Sequence, residues 1–298
     1  MLTTIYIGII ILLRFVQSYY GKINTILYPD TFKNKSLAVA VSCGLSAVSA
    51  IVLWLISGAS FNISVLTIFC ATVSGLSLAF CKLLDVYALQ KGTMVLSSAA
   101  GNAGMLVPCV IGIWLFNEPI KPIVWLLIAV FLVSIYLLCV SAKEQKPEFS
   151  VKVIFVLVFS FIFNGLTMIC QKIVAVYAPD DDVSLFSMLT FLIPSIIFFV
   201  IYLFSKDILD NEGNKEKINK KLWIIILILA VAVFIINQLA TICGKTMDSA
   251  ILFTLINGSS LIISALISAT CFKEKINAKT VTGLFLCLAS LILIKFLS

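Results

Sequence analysis

Ten apolar stretches, each long enough to cross a bilayer as a helix and separated by short polar loops, leave this chain few ways to fold. They run 2–20, 37–57, 64–84, 94–115, 121–141, 152–173, 184–204, 222–241, 249–271 and 279–297. A transmembrane helix needs about 20 such residues, whereas a barrel strand needs only about 10. The chain is 61% hydrophobic and 12% charged, against about a quarter charged in a soluble domain. Lipid must therefore be the solvent for most of it. The longest polar stretch, Ser205 to Lys221, is too short to hold a soluble domain. The expected class is an all-α integral membrane protein with ten transmembrane helices.

The chain also repeats itself. Residues 115–120 read Leu-Phe-Asn-Glu-Pro-Ile and residues 271–276 read Cys-Phe-Lys-Glu-Lys-Ile, each between two apolar stretches. Glu118 and Glu274 stand 156 residues apart in a chain of 298. A second anchor agrees: Tyr20-Gly21-Lys22 closes the first span and Cys170-Gln171-Lys172 the sixth, 150 residues later. Duplication in a hydrophobic chain points to a transporter built from two repeats. Five spans per half is an odd number, so the second half enters the membrane with the opposite orientation. The layout expected is two inverted five-helix repeats, residues 1–145 and 146–298, forming one membrane domain.

Several function classes fall away. The net charge is +7, but the lysines are scattered through loops and form no basic stripe, so nucleic acid is not an expected partner. The nine cysteines lie in or at the edge of apolar stretches, with no CxxC pair and no histidine in the chain. That pattern reads as small lipid-phase hydrophobes, with no metal site. No Walker motif occurs, so direct ATP drive is not expected, nor is a cofactor. With few carboxylates inside the spans, an intramembrane enzyme is not expected either.

The first segment begins without a basic flank and continues past Tyr20 without a cleavage signature, so it reads as a retained membrane helix. Lysine placement sets orientation. The loops after spans one, three, five, seven and nine carry 15 lysines, and the opposite face four: Lys121, Lys172, Lys245 and Lys295. That sparse face also holds Asp180-Asp181-Asp182. The positive-inside rule then places both termini outside the cytoplasm, in what is expected to be a bacterial cytoplasmic (inner) membrane.

Residues 87–141 resemble the EamA-like family of the drug/metabolite transporter superfamily. The resemblance is carried by Tyr87-Ala88-Leu89-Gln90-Lys91-Gly92, a small-rich span with Pro108, and Phe116-Asn117-Glu118-Pro119. The second copy runs from Ser249 to Ser298, with Asn257-Gly258-Ser259-Ser260 and Phe272-Lys273-Glu274-Lys275. The resemblance implies a secondary transporter with a central cavity, working by alternating access on a small organic solute such as a metabolite, an amino acid or a drug-like compound. Flippase activity on a lipid-linked amphiphile and drug efflux are the alternatives it leaves open. Members of that superfamily are often described with cytoplasmic termini, which the lysine bias here opposes.

Few residues inside the spans could carry chemistry. Arg14 stands in the first span, where a charge costs roughly 2.5–3.5 kcal/mol on insertion scales. It reads as an anchor for an anionic or zwitterionic solute, as an ion-pair partner of Asp85, or as a residue snorkelling to the interface. Lys82 and Asp85 share one face of the third span. Asp85 is the candidate coupling site, where a proton could bind and leave, or else half of an interfacial pair. Asn164 matches Arg14 at the 150-residue offset, and Asn237 and Gln238 fall near the Lys82 position of the second half. Asn102 and Asn257 lie among small residues, where either helix packing or solute contact would suit them. Tyr19 is a candidate lining residue or part of an interfacial aromatic belt. Glu118 and Glu274 read as structural marks that cap or pair at span ends.

Overall fold

The computed structural model describes residues 2–27, 32–91, 101–116, 122–145, 151–205, 220–272 and 277–297. Every regular element among them is an α-helix: α1 (Leu2–Leu27), α2 (Phe32–Ile56), α3 (Val65–Lys91), α4 (Leu106–Leu115), α5 (Pro122–Gln145), α6 (Val151–Tyr177), α7 (Val183–Phe204), α8 (Lys220–Gly244), α9 (Ser249–Thr270) and α10 (Ala278–Leu297). In α1, α2, α3, α6, α7, α8 and α9 the described residues are long and apolar enough to cross a membrane. Shorter apolar helices at Gly101–Gly112, Trp125–Ser134 and Ala278–Ser290 occupy the places of the expected fourth, fifth and tenth spans. The third helix outruns its expected end by seven residues, reaching Lys91, which puts Lys82 inside the helix and not at its margin.

Lipid-facing and protein-facing sides separate cleanly on α1. Leu2, Ile5, Ile9, Leu12 and Phe15 are exposed, while Ile10 is fully buried. Such exposed side chains need a hydrocarbon solvent. On the inner faces, small residues let backbones come close. The buried positions Ser36, Ala40, Cys43, Ala47 and Ala50 of α2 recur at spacings of four and three, which makes one narrow seam. Across it, Ser195 of α7 donates to the Ala40 carbonyl at 2.9 Å and Ser46 donates to the Ala230 carbonyl of α8 at 2.9 Å. Gly75 of α3 lies against α7, where an added Cβ would stand 3.0 Å from the Thr190 carbonyl oxygen. Pro194, four residues after Thr190 in α7, has no N–H to give that carbonyl.

The packing pairs are themselves patterned. α2 packs on α7, α5 on α10 and α4 on α9; α3 packs on α6 as α1 does on α8; α3 packs on α7 as α8 does on α2; and α6 packs on α4 as α1 does on α9. Exchanging the first five helices for the last five maps these pairs onto one another, whereas α6–α8, α7–α8, α8–α9 and α9–α10 also pack and have no such counterpart among the described contacts. The largest core cluster accordingly draws from both halves, with Ile10, Met105, Leu106, Cys109, Met168, Leu252, Phe253 and Ile256 among its members.

The fourth span departs from the continuous helix expected over 94–115. Residues 101–103 are helical, Gly104 and Met105 form a turn, and α4 starts at Leu106. The backbone bonds here are short-range: Gly104 N–H to the Gly101 carbonyl, Met105 N–H to Asn102 and Val107 N–H to Gly104. Two causes coincide. Pro108 cannot donate back to Gly104, and its ring crowds that carbonyl. Gly165 of α6 also passes so near that an added Cβ would sit 2.4 Å from Val107 Cβ and 2.7 Å from the Gly104 oxygen. Asn164 then donates its amide to the Gly101 carbonyl at 2.5 Å, pairing a group at the interruption.

Gly165→Ala should therefore destabilise the fold by about 1–3 kcal/mol through overpacking. Gly8→Ala, where nothing lies within 4 Å of the new Cβ, should leave the apparent melting temperature in detergent unchanged or raise it. Equal melting temperatures for the two variants would contradict the close crossing.

Candidate functional site

Arg14 lies one helical turn after Ile10, on the inner side of α1 and away from the exposed Leu12 and Phe15. Its Nη1 donates to Gln17 Oε1 at 2.9 Å, one turn further on. Its Nε is buried and has no hydrogen-bond partner. A guanidinium carries five N–H donors in a planar fork, so the single side-chain bond to Gln17 leaves most of that capacity unused. Snorkelling toward lipid does not describe this placement. Lys82, half-buried on α3, makes no hydrogen bond or ion pair with a described residue. The backbone of Asp85 belongs to α3, but its side chain lies outside the described residues, as do Glu118 and Glu274.

The amides divide. Asn164 is committed to the Gly101 carbonyl. Asn237 accepts from Gln171 at 2.6 Å and donates to its own helix at Val233. Gln238 accepts from Ser187 at 2.8 Å and donates to Ser184 at 3.1 Å. These bonds tie α6, α7 and α8 together, as buried amides do when the alternative partner is hydrocarbon. Asn257 donates to the Phe253 carbonyl of its own helix at 2.9 Å and lies 3.7 Å from the Met168 sulfur. Asn102 is buried beside the interrupted helix. Tyr19 does not share the inner face of Arg14: it stacks on Phe15, meets Tyr20 edge-on and lies 6.2 Å from the Phe272 ring. Gln17 and Gln171 complete these contacts; Gln17 went unmarked in the sequence, where an isolated glutamine in an apolar run carries no spacing signal, and Gln171 was noted there only within the anchor that closes the sixth span.

The two duplicated anchors meet each other across the halves. The Lys22 ammonium stands 4.4 Å from the centroid of the Phe272 ring, and the Lys172 ammonium 5.7 Å from that of Phe116. Both are cation–π contacts. Lys172 is buried and also donates to the Gly244 and Met247 carbonyls, at 3.2 and 2.5 Å, capping the end of α8. Tyr177 donates to the Leu115 carbonyl at 2.5 Å. Each lysine of the one pair of sequence anchors thus faces a phenylalanine of the other pair.

At the end of the bundle where α4, α6 and α8 finish, two loops are bound together. Asp181 Oδ2 accepts from the Ser64 N–H at 2.7 Å, the Ser64 hydroxyl at 2.6 Å and the Thr67 hydroxyl at 2.5 Å. Asn62 donates to the Asp180 carbonyl at 2.8 Å, and the Asp182 N–H donates to the Asn62 carbonyl at 2.9 Å. Ser60 reaches Asp182 at 3.4 Å, and Lys245 donates to the Pro179 carbonyl at 2.6 Å. Burial alone would raise the Asp181 carboxyl, but the Ser64 and Thr67 donations and the Lys245 charge outweigh it and hold the group below the usual carboxylate range. It is ionised at neutral pH.

Comparison with known proteins follows the same outline. Residues 151–296 match the EamA-like transporter family. No curated protein matches the chain. Among solved structures, 28 chains match. One, described only as "Crystal structure of protein", aligns with a TM-score of 0.72 at 13% identity, covering 99% of this chain and 96% of its own. At that identity the likeness speaks for the fold alone. The match of residues 151–296 to the EamA-like transporter family, with the run of apolar helices, supports an integral membrane transporter.

Proposed function

We propose that this protein is a secondary transporter that carries a small anionic or zwitterionic organic solute across the membrane by alternating access. The observation that carries the solute class is Arg14: a guanidinium midway along α1, turned inward, with a buried N–H lacking a partner. Charges within a span face a pathway or a partner far more often than lipid, and no carboxylate fills that role among the described residues. Lys82 adds a second cation, and Asn102 and Asn257 are assigned to solute contact as buried amides among small residues. Asn164, Asn237 and Gln238 serve in this scheme by holding the helices in position. The partners are the solute and the bilayer.

The architecture proposed with this reading is ten spans in two inverted halves, residues 1–145 and 146–298. The exchange pattern of helix pairs favours it, as does the gathering of the α2–α3, α6–α7 and α8–α9 loops at one end. That end is the lysine-poor one, so the lysine bias places it and both termini outside the cytoplasm. Proton coupling is assigned to Asp85, the carboxylate nearest Lys82 in sequence.

Two measurements test these roles. In a thermal-shift panel of anionic, zwitterionic and cationic metabolites, a carboxylate-bearing compound should stabilise the wild type by mass action. Arg14→Ala should raise the concentration of that compound needed for the same shift roughly 10- to 150-fold, as the loss of one charged hydrogen bond predicts. Equal responses from both proteins would make Arg14 structural, and stabilisation by cations or lipids alone would favour drug efflux or a flippase. In proteoliposomes, Asp85→Asn should abolish accumulation driven by a proton gradient and keep solute counterflow; intact accumulation would remove Asp85 from coupling.

A further inference from the structure

We infer that the Asp181 junction is the closed gate on one face of the transport pathway, a latch joining the two halves that must break for that face to open. Ser60, Asn62, Ser64 and Thr67 belong to the first half, and Asp180, Asp181 and Asp182 to the second. Their bonds cross the boundary between halves with sequence separations of 114 to 122 residues. Three donors converge on a single carboxylate oxygen, and hydrogen bonds to an ionised acceptor are the stronger kind.

The chain leading into the latch is shaped to present these donors. Gly58 has φ of +101° and Ala59 φ of 53°, left-handed values that turn the chain sharply after α2. Trp54 Nε1 donates to the Ser60 carbonyl at 2.8 Å and holds the turned segment against the end of its helix. On the other side, Asp182 caps α7 by accepting from the Ser184 N–H at 2.8 Å. The latch is therefore attached directly to the ends of α2, α3 and α7. A rigid-body shift of one half against the other cannot leave these bonds intact. Just beneath the junction lie Cys70 of α3 and Cys170 of α6, both buried in one cluster with Ala71, Val174 and Phe186. They are natural reporters of whether this face admits water. Cys43 and Cys81 lie farther along α2 and α3, are also buried, and stand outside that cluster. The exposed Cys271 marks the opposite end.

The inference rests on the alternating-access reading for its purpose, but its test needs no solute. Purified protein is labelled with a water-soluble maleimide, and modification of each cysteine is followed by peptide mass spectrometry. Asp181→Ala and, separately, Thr67→Val should raise the labelling rate of Cys70 and Cys170, about tenfold or more for Asp181→Ala, because a latch that lost its acceptor populates the open face more often. Cys43 and Cys81 should keep their wild-type rates, and Asp180→Asn, whose side chain makes none of the bonds described, should behave as wild type. Unchanged Cys70 and Cys170 labelling in both latch variants overturns the gate. So does a joint rise of all four buried cysteines, since that reports loosening of the whole fold. A protein that transports nothing would sink the proposed function without altering this labelling result.

Discussion

Hydrocarbon cannot hydrogen-bond, and the structure follows from that one constraint. Every span must close its own backbone bonds, so the described residues are helices and the turns between them. Two apolar helices in lipid also gain little from hiding apolar surface from each other. Their association must come from close backbone approach and from polar groups that find partners. The α2 seam of Ser36, Ala40, Cys43, Ala47 and Ala50 supplies the first. The Ser195 to Ala40, Ser46 to Ala230 and Gln171 to Asn237 bonds supply the second. Where the constraint is locally broken, between residues 101 and 106, the neighbouring helix brings an asparagine to the exposed carbonyl.

The same constraint separates the polar residues into two kinds. Asn164, Asn237 and Gln238 have partners in the protein, and their contribution is to shape. Arg14 has only the neighbouring Gln17 for one of its nitrogens. A buried charge left so incompletely matched is costly in a low-dielectric setting, and a fold that tolerates it holds a position ready for a counter-charge. In this sense Arg14 stands apart from the amides less by being polar than by how little of its bonding capacity the described residues take up.

Much of the architecture was legible in the sequence because it follows from local pattern. Apolar length marks spans, and in seven helices the described residues are long and apolar enough to cross a membrane. Ala71, Gly75 and Ala79 recur every four positions, a spacing that suits close helix packing, and Gly75 does lie against α7. What could not be read depends on partners distant in the chain. Pro108 and Gly104 suggest a weak point, but only the crossing of Gly165 makes it a turn. The acidic triplet at 180–182 is conspicuous, yet nothing near it in sequence names Ser64 and Thr67 as its donors. Asn164 looked like the counterpart of Arg14, and the equivalence of position concealed a difference of use: one is spent on a carbonyl and the other is not.

The two lysine–phenylalanine contacts carry a consequence for how the chain can be divided. Lys22 belongs to the first half and Phe272 to the second, while Lys172 belongs to the second and Phe116 to the first. Each half thus ends its fourth helix on the other's first. The boundary at 146–150 is a seam in the gene and not in the object, because the parts that hold each other most closely come from opposite sides of it. Drawing the two halves apart would strip each lysine of its ring and each ring of its lysine.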